Sequence, residues 1–285
     1  MDESILIPTD FSEVAHRAAA YAVALGNQLG IARLVLYHAW QQSNVVDINM
    51  PGMTLVNEDE IQAANDEWMS SFAGAVKKAA GGGVEIIKEI DYNPLDYGVA
   101  HAAEKHGAAY VVMSVTGSGR FVEKIIGSSA VSVARKIDVP VIIVPGDYEY
   151  KTIERIALSC DYKDTEHSVP FGKVASIVKA TGSGLFVIYV DTNGGPPPDT
   201  LKEDNERMKE SLQVPGVEFH SQKGAKYIDA VNGFSEENSI DLVIAVPKKK
   251  GFFESLFKGS HTAELAFRSV RPIMIIHNRI INSGE

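Results

Sequence analysis

A chain of 285 residues that writes the same unit twice has few folds open to it. Ile5-Leu6-Ile7-Pro8-Thr9-Asp10-Phe11 returns as Ile156-Ala157-Leu158-Ser159-Cys160-Asp161-Tyr162, an offset of 151, and the same offset carries residues 34–39 onto 185–190. Farther along the offset is 132, which aligns Gly127-Ser128 with Gly259-Ser260 and Val139-Pro140 with Arg271-Pro272. The second copy is therefore about 19 residues shorter in its middle. The natural place for that loss is the connection after its second strand, where the first copy carries the long segment 41–57.

Within the first copy, strand and helix signals alternate. Residues 4–8 form a short apolar run, and Ser12 stands where it can cap a helix. Ala15, Ala19, Ala22 and Leu29 fall near helical spacing, with Gly30 just past the end. Residues 34–39 read as the next strand. Ile61, Ala64, Trp68, Phe72, Val76 and Ala79 make an i, i+3/i+4 stripe that predicts a helix stopped by Gly81-Gly82-Gly83. Residues 84–90 read as a strand, and Asn93-Pro94 offers a cap and a first-turn proline to a helix ending near Gly107. Strand 109–114, a loop, a helix over 127–136 and strand 139–144 complete the unit. Five strands separated by four helical stretches predict an α/β fold, a parallel sheet with helices on both faces. The second copy repeats this from 153 to 277, with 145–151 as linker. The expected domains are 1–147 and 148–285. Gly194-Gly195-Pro196-Pro197-Pro198 reads as an internal loop, because the repeat continues through it.

Composition limits the partners. A net charge of −10 argues against a nucleic-acid partner, which needs a basic surface. No apolar stretch approaches the roughly 18–20 residues that span a bilayer, so no membrane is expected. Met1-Asp2-Glu3-Ser4 is acidic and runs straight into a strand, which does not read as a secretory signal. The single cysteine, Cys160, allows no internal disulfide and fits a reducing cytoplasm. The eight histidines show no metal spacing: His101 and His106 are five apart, off the helical i, i+4 register. The expectation is a soluble cytoplasmic protein without a bound metal.

Chemistry concentrates in residues 113–129, Met-Ser-Val-Thr-Gly-Ser-Gly-Arg-Phe-Val-Glu-Lys-Ile-Ile-Gly-Ser-Ser, between two apolar runs. A strand, a glycine loop and a helix N-terminus can together present backbone N–H groups to a phosphate. The second copy keeps the skeleton in 242–246, Gly251, Gly259-Ser260-His261 and 272–276, but has Lys249 where the first has Gly117.

These residues resemble the universal stress protein family in its tandem form. The opening Ile-Leu-Ile-Pro-Thr-Asp-Phe-Ser is similar to that family's first strand and turn, and the segment from Met113 is similar to its nucleotide signature G-x2-G-x9-G-[ST]. Ser114 stands at the first glycine of the signature, Gly117 at the second, and Gly127-Ser128 at the last pair. The resemblance implies two Rossmann-like domains of the adenine-nucleotide alpha-hydrolase type and a sensor or regulator in the stress response. It also implies ATP as ligand, with or without Mg²⁺, in the first domain. Asp10, with Pro8 and Thr9 before it, would meet the nucleoside, and backbone near Ala39 the adenine. Met113, Ser114, Gly117, Gly127, Ser128 and Ser129 would surround the phosphates. Ser114 either narrows that pocket or adds a hydroxyl donor. The second copy has Val246 and Lys249 at the two early glycines, which makes it a degenerate site, although Asp161, Gly259-Ser260 and Lys248-Lys249-Lys250 persist there. Association through the last, edge strand is implied as well. Residues 139–144 and 271–276 are apolar edges that need covering, and pairing them would make an internal pseudo-dimer; a homo-oligomer is also compatible.

Plainer roles stand beside these. Asp10 can simply cap the turn after its strand, Ser12 and Ser128 can be helix caps, and Gly117 and Gly119 permissive loop residues. Arg120 and Lys248–Lys250 read as solvated, Cys160 as a small buried residue, and Trp40, Trp68 and Phe72 as core or groove-lining. A partner-binding protein with a vestigial nucleotide site is the alternative function. A slow ATP hydrolase is another, but the chain has no G-x4-G-K-[ST] loop, and Asp10 is the only convenient carboxylate. No catalytic residues are assigned.

Overall fold

The computed structural model describes residues 3–40, 58–114, 128–159, 169–191, 201–223, 226–247 and 268–278. The first half runs β1 (Ser4–Pro8), α1 (Glu13–Leu29), β2 (Arg33–Ala39), α2 (Glu58–Ala80), β3 (Glu85–Asp91), α3 (Leu95–Lys105), β4 (Ala108–Ser114), α4 (Ser128–Lys136) and β5 (Val141–Val144). The second runs β6 (Arg155–Ser159), α5 (Phe171–Thr181), β7 (Gly184–Asp191), α6 (Leu201–Leu212), β8 (Glu218–Lys223), α7 (Tyr227–Glu237), β9 (Leu242–Ala245) and β10 (Ile273–Ile275).

The ten strands form one sheet in the order β3-β2-β1-β4-β5-β10-β9-β6-β7-β8. Neighbours within each half are parallel. At the centre β5 and β10 pair antiparallel, Ile143 opposite Ile273 and Val141 opposite Ile275, so each apolar edge is covered by the other. The inner strands are apolar on both sides because both sides are covered. Ile5 and Ile7 enter the core under α1, α2, α5 and α6, while Leu6 enters the core under α3, α4 and α7.

The ends of α1 follow its sequence. Ser12 accepts a hydrogen bond from the Ala15 N–H, and Gly30 closes the helix in the left-handed region at φ 72°. Three expectations are corrected. On α2 the buried face runs through Asn65, Met69, Phe72 and Val76, whereas Trp68 is 55% exposed. The six-residue stripe is thus rotated: only Phe72 and Val76 of it are buried. At α3, Asn93 is not the cap. Its side-chain amide donates to the Asp91 carboxylate, and the Pro94 carbonyl accepts from Tyr97 and Gly98 to start the helix. β5 begins at Val141 rather than 139; Pro140 can donate nothing, and its carbonyl instead accepts from Val111.

The connection between the halves is held by side chains. Gln28 of α1 donates to the Ile153 and Thr181 carbonyls and accepts from the Ile153 N–H and the Tyr150 hydroxyl. Tyr21 packs edge-on against Tyr150, ring centroids 4.9 Å apart.

Candidate functional site

In a doubly wound sheet the ligand crevice forms where connections leave neighbouring strands in opposite directions, beyond the strands' carboxyl ends. In the first half that point lies between β1 and β4, because β2 and β3 lie to one side and β5 to the other. A cavity of about 210 Å³ opens there, lined by Pro8, Thr9, Asp10, Val14, Ala15, His38, Ala39, Leu95, Met113, Ser114, Ser129 and Ala130.

The turn from β1 to α1 builds one wall. The Thr9 hydroxyl accepts from the Phe11 N–H at 3.0 Å, and the Asp10 carboxylate accepts from the Ser12 N–H at 3.0 Å and the Ser12 hydroxyl at 2.5 Å. These bonds hold Phe11 at φ 63°, a left-handed conformation that bulky residues seldom adopt. Asp10 does cap its turn. It is also exposed, and both bonds from Ser12 fall on one of its carboxylate oxygens. From the adjacent strand, His38 Nδ1 donates to the Thr9 carbonyl at 2.8 Å, since a carbonyl can only accept, and its ring lies 4.4 Å from that of Phe11.

The opposite wall contains Ser114. Its hydroxyl donates to the Val144 carbonyl on β5 at 3.1 Å, so of the two alternatives its donor is already committed to the sheet. Ser129 is exposed on the first turn of α4, the end of a helix whose N–H groups and dipole favour an anion. Behind the cavity, the Asp91 carboxylate accepts from the Tyr92 and Asn93 N–H groups, the Asn93 amide and the Tyr37 hydroxyl. Burial works against its charge, but these donors outweigh burial and hold the carboxyl below its ordinary range. Burial, then the neighbouring Asp91 charge, pushes the Tyr37 phenol well above its own. The network fixes the β3–α3 turn that delivers Leu95 to the cavity.

Of the residues singled out by sequence, Pro8, Thr9, Asp10, Ala39, Met113, Ser114 and Ser129 meet around this one cavity. Ser128 opens α4. Gly117, Gly119, Arg120 and Gly127 lie outside the described residues, as do Cys160, Asp161, Lys248–Lys250, Gly251, Gly259-Ser260-His261 and the loop 194–198. Val14, Ala15, His38, Leu95 and Ala130 also line the cavity, and none of them is marked as a site residue by the sequence. His38 carried the best signal, an imidazole immediately before Ala39 at a strand end. No group of three or more metal-ligating side chains occurs among the described residues, and none of their helices is long and apolar enough to cross a membrane.

The second half differs at the matching place. Tyr227 stands where the first half has Leu95, at the offset of 132, and Ser159 where it has Pro8. Their hydroxyls are hydrogen-bonded to each other, so a phenol reaches across to the end of β6 where the first half keeps a cavity.

A sheet that is parallel within each half and flanked by helices defines an α/β fold of the doubly wound class. The sequence profile of the universal stress protein family matches residues 1–145, half of the chain, and the chain belongs to that family. Among solved structures, a universal stress protein from Archaeoglobus fulgidus DSM 4304 is similar over 97% of this chain and 97% of its own, with 18% identity and a TM-score of 0.69. A Pseudomonas aeruginosa UCBPP-PA14 protein assigned to the same family is similar over 96% of this chain and 92% of its own, with 12% identity and a TM-score of 0.57. At these identities the likeness is one of fold. No curated protein sequence matches the chain.

Proposed function

We propose that the protein is a nucleotide-binding regulator of the stress response that takes ATP in the first-half cavity, working in the cytoplasm. The observation that carries this reading is the convergence of seven sequence-selected residues, from four separate segments, on one cavity at the switch point. Asp10 meets the ribose, Ala39 backbone the adenine, and Ser129, with Ser128, Gly117 and Gly127, the phosphates. About 210 Å³ is below the roughly 300–1,000 Å³ of ordinary ligand pockets, which suits base and sugar inside and phosphates extending toward α4. The commitment of the Ser114 hydroxyl to Val144 supports the fit, because the side chain that replaces a glycine is held against β5.

Residues 1–147 form the binding domain and 148–285 a structural one, and the Tyr227–Ser159 contact favours a single site per chain. The chain carries no catalytic assignment: one Asp10 oxygen already serves Ser12. Titration of the whole protein with ATP and Mg²⁺ by calorimetry tests the reading. Saturable binding near one nucleotide per chain is expected, and absence of binding at millimolar ATP overturns it.

A further inference from the structure

We propose, resting on the nucleotide reading above, that Trp40 and Tyr92 form a stacking platform that extends the cavity on its base side and gives it preference for purine over pyrimidine nucleotides. Four observations meet here. Trp40 directly follows the cavity-lining Ala39, and Tyr92 lies three residues before the cavity-lining Leu95. The Trp40 N–H donates to the Asp91 carbonyl at 2.8 Å, which carries the β2–β3 ladder one residue past the Ala39–Asp91 pair and holds both rings beyond the carboxyl ends of the strands. The Tyr92 N–H donates to the Asp91 carboxylate at 2.7 Å, so the turn presenting it is fixed from below. The two rings meet edge to face, centroids 4.9 Å apart at 69°, and Tyr92 stays 56% exposed.

An aromatic pair placed only to fill the core would be covered by it. Tyr92 instead stands in solvent at the same end of the sheet as the cavity, with Trp40 half-buried beside it, and an edge-to-face contact engages one ring by its edge and the other by a single face. The position also suits the polarity of the proposed ligand. Phosphates belong at the α4 end, beside Ser129, so the base points the other way, toward β2 and β3. Stacking responds to the area of the π-face rather than to its hydrogen-bonding edge, and a purine offers more area than a pyrimidine. ATP and CTP make a clean comparison, since each carries an exocyclic amino group.

The chain has two tryptophans, and Trp68→Phe leaves Trp40 as the sole indole. In that variant ATP is expected to quench tryptophan emission saturably, with the same midpoint that calorimetry gives for the unmodified protein. Trp40→Leu and Tyr92→Leu are each expected to weaken ATP about 10-fold and CTP far less, collapsing the ratio between them, while Trp40→Phe restores most of it. ATP binding unchanged in Trp40→Leu and Tyr92→Leu, with no quenching of Trp40, overturns the platform and leaves the nucleotide reading standing. No binding of either nucleotide to the unmodified protein overturns both. Equal losses for ATP and CTP reduce Trp40 to a structural support and also overturn the proposal.

Discussion

A methyl group added at Gly98 would sit 1.7 Å from the Tyr37 hydroxyl and 2.7 Å from the ring carbon that bears it. Gly98 lies on α3, so its value is close approach and not backbone freedom: it lets the helix lie over Tyr37 while that phenol reaches Asp91. Gly98→Ala is expected to destabilise the protein by about 1–3 kcal/mol in urea unfolding. Tyr37→Phe in the same chain should recover part of that loss, although alone it sacrifices the Asp91 bond. Equal, additive losses would contradict the account. None of this was legible from the sequence, where Gly98 is one glycine in a helical stretch and Tyr37 one aromatic in a strand. Ser114 teaches the same lesson in reverse. Its place at the phosphate loop could be read, but the acceptor that takes its hydroxyl, Val144, is 30 residues away and is brought alongside only by β4–β5 pairing. His38 was missed because an imidazole at a strand end looks the same in sequence whether or not a carbonyl such as that of Thr9 receives it.

Strands and helix ends were the readable part, because their signals are local. The apolar runs became β1, β2, β4 and β5, and Ser12 and Gly30 closed α1 as expected. The face of α2 was misjudged for a physical reason. Periodicity selects a stripe, but what covers the stripe decides its rotation, and the core accepted Asn65 and Met69 while leaving Trp68 outside. The cap of α3 was assigned to Asn93, but no side chain caps that helix, and Asp91, two residues before Asn93, holds the turn leading into it. That assignment has a consequence in acid. The folded protein holds the Asp91 carboxyl below its ordinary range, so its contribution to stability is complete above about pH 5 and is lost as pH falls through the folded value. Urea midpoints should therefore fall as the pH drops below about 5, and fall less in Asp91→Asn. An identical acid response in the variant would remove Asp91 from the account. Glu89 contributes in the same direction: burial opposes its charge, but hydrogen bonds from His106 and Lys105 hold its carboxyl down.

The whole molecule is two similar halves joined by one antiparallel seam, and the repeat made that seam foreseeable. A lone copy would end in β5, Val-Ile-Ile-Val, buried along its length and unpaired on one side. Residues 1–147 expressed alone are expected to dimerise through β5, since an antiparallel edge can pair with a second copy of itself across a two-fold axis. A monomer in sedimentation at micromolar concentration would contradict this. The two halves diverged where sequence offered least help. Tyr227 could be aligned with Leu95, but that its hydroxyl meets Ser159 follows only from the fold. Among the described residues, the first half has a cavity at its switch point and the second has the Tyr227–Ser159 contact at the matching place, which is the basis of the single-site proposal. The most direct test of that asymmetry is ATP calorimetry on the full chain beside Ser129→Glu, an exposed first-turn change that the α4 dipole favours structurally but that sets a carboxylate against the phosphates. The account predicts about one nucleotide per chain and at least a 10-fold loss of affinity in the variant with no loss of thermal stability. Two nucleotides per chain, or an affinity indifferent to Ser129→Glu, would contradict it.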